Sequence, residues 1–233
     1  MPEPTDHEAD SPLAAALSRA LEGEVLFDEF SRGRYSTDAS MYQIPPVGVV
    51  VPRHAEDVVC AIQIAAEHGV PLLPRGAGTS QCGQTVGRAL VLDGTKYLAA
   101  VRSFEPVGRT ISVEPGIVLD TLNDFLEPHG LFFPIDVSTS SRATIGGMAG
   151  NNSVGARSIR YGHMVDNVLA IDALMADGQA LRFCAPGDAP ADVPGAGRQG
   201  NGRLGDLTQK MRALYVREEA EIRRRYPKVA RNV

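Results

Sequence analysis

The 233-residue chain lacks several things, and each absence narrows what it can be. No apolar run approaches the roughly 18–20 residues that a membrane-spanning helix needs. There is no basic excess: the formal net charge is −5, which argues against a nucleic-acid surface, where a basic face is expected. Cysteine is scarce. Cys60, Cys82 and Cys184 are odd in number and widely spaced, which points to a reducing compartment and to neither a disulfide framework nor a zinc site. No two histidines have helical ligand spacing, so no metal site is expected. The opening "MPEPTDHEADSP" is acidic without an apolar core, so a secretory signal is not expected there.

Apolar residues make up 43% and charged residues 22% of the chain, ordinary values for a globular protein with a real core. The 24 glycines and 16 prolines imply many turns and close backbone approaches. After a tail over residues 1–10, Ser11 reads as the N-cap of a helix with Pro12 at its first position and Gly23 past its end. "VGVVV" (47–51) reads as a buried strand, and "HAEDVVCAIQIAAEHG" as a helix stopped by Gly69, with Cys60 facing the core. "VPLLP" (70–74) and "ALVLD" (89–93) read as two more strands of a small parallel sheet. Beyond them, "TISVEPG" reads as a strand. A helix follows with Val118, Leu119, Leu122, Phe125 and Leu126 inward, and then a hairpin turning at Asp177-Gly178. The expected organisation is a tail and helix over 1–24, a domain over 25–184 with lobes at about 46–100 and 101–184, a loop at 185–205, and a helix over 206–233. That last helix is capped by Asp206 and stopped at Pro227.

Residues 74–84, "PRGAGTSQCGQ", leave the end of a strand. Gly78 and Gly83 have Walker A spacing and Thr85 fits, but Gln84 stands where the phosphate-binding lysine belongs. Gly76 and Gly78 fit a dinucleotide fingerprint, but its third glycine is Gln81. A third reading uses the loop itself: glycines admit positive φ, so successive N–H groups converge on one anion. Ala77, Thr79 and Ser80 are small enough to let a ligand touch the main chain. The alternative is a plain surface turn. A second stretch, "FFPIDVSTSSRATIGGMAGNNSVGARSIRYGHMVDNVLA" (132–170), repeats the chemistry. Ser138 to Ser141 and Thr144 are small donors, Gly146-Gly147 open a short helix or turn with free N–H groups, and Asn151 to Gly155 make a polar turn. Two such segments, one per lobe, suggest a dinucleotide in the cleft between them.

Together "PRGAGTS", "DVSTSSRATIGGM", "NNSVGARSIRYG" and "DNVLAIDALMADG" resemble the PCMH-type FAD-binding domain of vanillyl-alcohol-oxidase-like flavoproteins. Within that group the resemblance is to FAD-linked dehydrogenases of D-2-hydroxy acids (lactate, glycolate, 2-hydroxyglutarate), and "NNSVGARSIRYG" resembles the large members fused to an iron–sulfur domain. The entry segment "YSTDASMYQIPPVGVVVPRHAEDV" is similar as well. The resemblance implies an α+β, two-lobed fold: a small parallel β/α lobe, a larger mostly antiparallel lobe with helices, and non-covalent FAD in the cleft. It implies that Arg75, Gly76, Ala77, Gly78, Thr79 and Ser80 wrap the pyrophosphate. Pro134, Asp136, Ser138, Thr144, Gly146 and Gly147 then line a second wall, and Asn151, Gly155, Tyr161 and Gly162 lie toward the ribityl or flavin end.

The resemblance also implies a cap domain that binds the hydroxy acid and supplies a basic histidine, and an electron-transfer partner or iron–sulfur domain. Neither is recognised in these residues. The chain therefore reads as an N-terminal fragment whose own catalytic residues are unassigned, with no useful turnover alone. A cytoplasmic location is expected, or one peripheral to the inner face of the membrane. A non-catalytic nucleotide-binding module or a degenerate remnant is the alternative reading. Cys82 is not expected to bond the flavin. His54, His68 and His129 are expected at helix ends, His163 as a partly exposed polar residue, and Arg32, Arg34 and Tyr35 in surface salt bridging.

Overall fold

A computed structural model describes residues 11–185 and 202–226. The expected tail at 1–10, residues 186–201 of the expected loop at 185–205, and residues 227–233 with the stop at Pro227 lie outside the described residues. The chain resolves into two compact units, Met1–Asn167 and Val168–Val233. The division falls inside the stretch 101–184 that reads as one lobe.

The first unit opens with α1 (Pro12–Ala20), where Ser11 Oγ accepts from Ala14 N–H at 3.2 Å. Two elements without sequence signals follow, β1 (Glu24–Leu26) and α2 (Glu29–Arg34). Both are too short to show a period, and α2 is set by its Asp28 cap accepting from Ser31 N–H at 2.8 Å. Then come β2 (Gly48–Val51), α3 (Ala55–Glu67), β3 (Leu72–Arg75) and β4 (Leu90–Asp93). The sheet order is β1-β2-β4-β3, with β4 parallel to both neighbours and β1 an antiparallel edge. Every residue of β2 and β4 is buried, so both read as apolar runs, broken in β4 only by its last residue, Asp93. Leu17, Ala61 and Ala65 of the two longer helices cover one face through Val50, Leu90 and Leu92. Val49, Val51 and Val91 fill the other, against Leu26, Tyr35, Leu73 and Tyr97.

The rest of the first unit holds a two-stranded antiparallel ribbon, β5 (Val101–Glu105) with β6 (Thr110–Val113), and short helices. These are α4 (Leu119–Leu126) running into a 3₁₀ turn, α5 (Ile145–Asn151), α6 (Ser158–Tyr161) and α7 (Met164–Asn167). Leu119, Leu122 and Leu126 are buried as expected, whereas Phe125 is 40% exposed and packs edge-on against Phe104.

In the second unit β7 (Ala170–Leu174) pairs antiparallel with β8 (Ala180–Cys184). The expected two-residue turn is longer. Met175 N–H donates to Gln179 O at 2.9 Å and Gly178 N–H to Met175 O at 2.8 Å, with Gly178 at φ 79°. That is the type I turn closed by a left-handed residue. The last helix, α8 (Arg203–Arg225), starts earlier than expected, after Gly202, and Asp206 sits in its first turn rather than at its cap. An acid there still meets the positive end of the helix dipole. Among the described residues no helix is long and apolar enough to cross a membrane, and no group of three His, Cys, Asp or Glu side chains could hold a metal ion.

The central strand predicts where stability concentrates. Leu90 is fully buried and Val107 is 91% exposed. Urea titration of Leu90→Ala should show a loss of about 2–5 kcal/mol, and Val107→Ala should stay within about 0.5 kcal/mol of the parent. Equal effects would contradict this core.

Candidate functional site

β3 ends at Arg75, which stands in parallel register with Asp93, the last residue of β4. The glycine segment leaves this carboxyl edge, the side where parallel sheets place their ligands. Gly78 has φ +68°, a left-handed conformation that glycine adopts without strain. Among the described residues, the backbone N–H groups from Gly76 to Gln81 have no hydrogen-bond partner. A run of free main-chain donors at a sheet edge can be completed by water or by one multi-oxygen anion. No lysine lies in the segment; the donors are dipoles of the chain itself.

The loop is held from beneath. Ala39 N–H donates to Gly78 O at 3.0 Å. The Arg75 guanidinium donates through Nη1 to Tyr35 O at 3.3 Å and Thr85 O at 3.0 Å, and through Nη2 to Thr37 O at 2.8 Å. It also lies over the Tyr35 ring at 5.4 Å. Tyr35 Oη donates to Asp93 Oδ2 at 2.6 Å, and Thr85 Oγ1 to Asp38 Oδ2 at 3.0 Å. Burial lowers the Arg75 pKa, opposed by the nearby Asp93 and Asp38 charges. Burial raises the Tyr35 pKa, reinforced by its bond to Asp93. Tyr35 is therefore a neutral donor inside this network. Surface salt bridging is the expectation for Tyr35, which instead turns inward against the sheet; Arg32 Nε donates to Pro46 O at 2.9 Å.

The second segment sits against the first. Thr144 is 3% exposed and caps α5, its Oγ1 accepting from Gly147 N–H at 3.4 Å. A side chain at Gly76 would overlap Thr144 Oγ1, and its Cβ would lie 3.8 Å from Gly147 Cα. The free donors expected at Gly146-Gly147 are not there: Ile145 N–H donates to Ile117 O at 2.9 Å and Gly146 N–H to Pro115 O at 2.8 Å. The Thr144 hydroxyl and the facing β6–α4 connection use them up.

Asp136 accepts from Arg157 N–H at 3.0 Å, pairs with Arg157 Nε at 3.5 Å and lies against Gly155. It thereby ties the 151–162 segment to the 132–137 stretch. Pro134 lines a small recess with Asp120, Asn123, Phe132 and Arg157. Tyr161 packs edge-on against Phe132 at 5.8 Å, and Gly162 ends α6 at φ 82°. Asn151 Nδ2 donates to Ser153 Oγ at 3.1 Å. Ser138 is exposed in a turn closed by Ser140 N–H on Val137 O. The structure thus brings Gly76 to Thr144 and Gly147, and Asp136 to Gly155. Among the described residues no hydrogen bond joins residues 76–80 to Asn151, Gly155, Tyr161 or Gly162. Cys82 is exposed. His54 caps α3 by accepting from Asp57 N–H. His163 is half-buried, with Nε2 enclosed and without a hydrogen-bond partner among the described residues.

Asp93 escapes sequence reasoning as part of this site, and Tyr35, Thr37, Asp38 and Thr85 enter that reasoning only through the similar entry segment or the Walker A spacing, not as the support of the loop. The available signal is an acid at the end of "LVLD", beside a glycine loop that leaves the neighbouring strand.

Residues 46–183 match the family described as FAD binding domain. The D-2-hydroxyglutarate dehydrogenase of Pseudomonas putida is 32% identical over 222 residues, covering 94% of this chain and 22% of that protein. The glycolate oxidase subunit GlcD of Bacillus subtilis is 32% identical over 215 residues, covering 86% of this chain and 44% of that protein. The chain spans only 16% and 22% of the length of two D-2-hydroxyglutarate dehydrogenases it matches. In fold it is similar to 6-hydroxy-D-nicotine oxidase from Arthrobacter nicotinovorans, with TM-score 0.64 and 19% identity over 75% of this chain and 37% of that one. The Physcomitrella patens BBE-like 1 structure gives TM-score 0.66 at 22% identity, over 77% of this chain and 39% of that one.

A double-mutant cycle tests the Gly76–Thr144 approach. Gly76→Ala should cost about 1–3 kcal/mol by overpacking, and Thr144→Ala about 1 kcal/mol by loss of the cap. The double variant should cost less than the sum by at least about 0.5 kcal/mol, because removing Oγ1 makes room for the methyl group. Strict additivity in chemical denaturation would mean the segments do not touch.

Proposed function

The chain belongs to the FAD binding domain family, and we propose that it is the FAD-binding part of a flavin-dependent oxidoreductase that converts a D-2-hydroxy acid to the 2-oxo acid. The lactate, glycolate and 2-hydroxyglutarate class is favoured by the names of the similar proteins. The observation that carries the reading is the run of unpartnered N–H groups from Gly76 to Gln81 beside Thr144. That cradle suits a pyrophosphate, whose oxygens accept several hydrogen bonds at once.

In this reading the N–H groups of Gly76 to Ser80 bind the pyrophosphate, and the hydroxyls of Thr79 and Ser80 add donors. Pro134, Asp136, Ser138, Thr144, Gly146 and Gly147 form the facing wall, with the two glycines serving close approach rather than donation. Asn151, Gly155, Tyr161 and Gly162 lie toward the ribityl and flavin end. FAD, when bound, supplies the hydride acceptor, and the protein's part is to bind and orient it. The link is non-covalent. Residues 25–184 are the proposed extent of the domain, substrate binding and electron transfer fall to other parts of a longer polypeptide or to partners, and the location is cytoplasmic.

Calorimetric titration with FAD, NAD and ATP should rank FAD first; tighter NAD or ATP binding would sink the reading. Gly78→Val places a branched residue at φ +68°, where strain alone costs about 1–3 kcal/mol. The variant should lose FAD while keeping its far-ultraviolet dichroism. If it holds flavin like the parent, the loop is not the phosphate site. Anaerobic mixing of the flavin-loaded chain with D- or L-lactate should give no bleaching at a useful rate, because the base and the substrate-positioning residues fall outside these residues. Rapid bleaching by the D enantiomer would place the substrate-binding residues in this chain and overturn that assignment.

A further inference from the structure

Arg75 is the one cation inside the glycine segment, and a direct bond to phosphate is the obvious role for it. Its hydrogen bonds point elsewhere. Both terminal nitrogens are engaged by three main-chain carbonyls from two separate stretches, Tyr35 and Thr37 in one and Thr85 in the other. The group lies flat beneath Gly78: a Cβ there would stand 2.5 Å from Nη2, 3.0 Å from Cζ and 3.3 Å from Nε. The ring of Tyr35 packs on it, and that ring is fixed by the bond from Tyr35 Oη to Asp93.

We propose that Arg75 is a positioning residue, whose guanidinium joins the 35–37 segment, the loop at Gly78 and the turn at Thr85 so that the N–H run is already shaped for an anion before one arrives. The proposal rests on the reading of residues 76–80 as the pyrophosphate site. A planar fork with five donors can serve three carbonyls at fixed angles, and an ammonium on a flexible stem cannot. Without the fork, the ties left among the described residues between the entry segment and the loop are Ala39 N–H on Gly78 O and the Asp38 carboxylate, which accepts from Thr85 N–H and Oγ1. The loop then samples other shapes, and its apparent affinity falls in proportion to the fraction of time it spends formed.

The test uses the flavin-free chain first. In Arg75→Lys and Arg75→Ala, amide hydrogen exchange should accelerate at the hydrogen-bonded amides of Tyr35, Ser36, Ala39 and Thr85 and stay unchanged in β2 and β4. The FAD dissociation constant should rise about tenfold or more in both, as expected if the loop is formed a tenth of the time or less. Millimolar methylguanidinium should restore both protection and affinity in Arg75→Ala, which a general loss of folding would not allow. If Arg75→Ala does not fold, Arg75→Lys carries the test alone. An Arg75→Lys variant that exchanges and binds FAD like the parent would overturn the proposal, since charge without the fork would then suffice. So would weakened FAD binding with unchanged exchange, the mark of a direct phosphate ligand. A parent that binds no FAD would refute the functional reading instead, and the exchange comparison would still decide what Arg75 does to the loop.

Discussion

The distance between Gly76 and Thr144 sets everything else at the site. Because residue 76 has no Cβ, the loop leaving β3 can lie against the capping hydroxyl of α5. A methyl group would force the two apart, and the wall formed by residues 144–147 would move away from the N–H run. Capping uses the Thr144 side chain, and the facing carbonyls of Pro115 and Ile117 use the first N–H groups of α5. The short helix is therefore a spacer and a wall. The donors come from the other segment.

Much of this was legible in the residues, and the limits have physical causes. The strands "GVVV" and "LVLD" announce themselves because a strand buried on both faces must be apolar along its interior, with the acid of the second only at its end. α1 and α3 carry caps and stripes that any helix of their length needs. β1 and α2 were invisible because three and six residues cannot display a period, and what fixes them is pairing and a cap. Phe125 lies on the expected stripe, yet its outer edge finds Phe104 rather than the interior. At the site, glycines and small hydroxyls mark where the main chain comes close. They do not say which N–H groups stay free. That depends on where Pro115 O and Ile117 O fall, which no local pattern encodes. Likewise Arg75 looks like a phosphate ligand in the sequence because its three acceptors are backbone carbonyls, and a carbonyl has no signature.

The support beneath the loop is mixed in kind. Arg75 contributes a half-buried charge met by neutral carbonyls, and Asp93 a carboxylate met by a phenol. Each charged group thus faces a dipole. Hydrogen bonds with one charged partner are stronger than neutral ones, and here they bind the 35–39 entry segment to the ends of two parallel strands. That segment lies far from β3 in sequence, so its order depends on the sheet being formed.

The N–H run has a consequence for how this site can change over evolutionary time. Donors that belong to the main chain cannot be deleted by any side-chain replacement other than proline, which lacks the N–H. Truncations such as Thr79→Ala or Ser80→Ala remove hydroxyls and leave the cradle. Additions do the harm, because a Cβ at Gly76 meets Thr144 and one at Gly78 meets Arg75 on a left-handed backbone. The usual order of mutational tolerance is inverted: the surface survives losing atoms and fails on gaining them. Drift toward other ligands must therefore begin outside the loop, in the walls that face it.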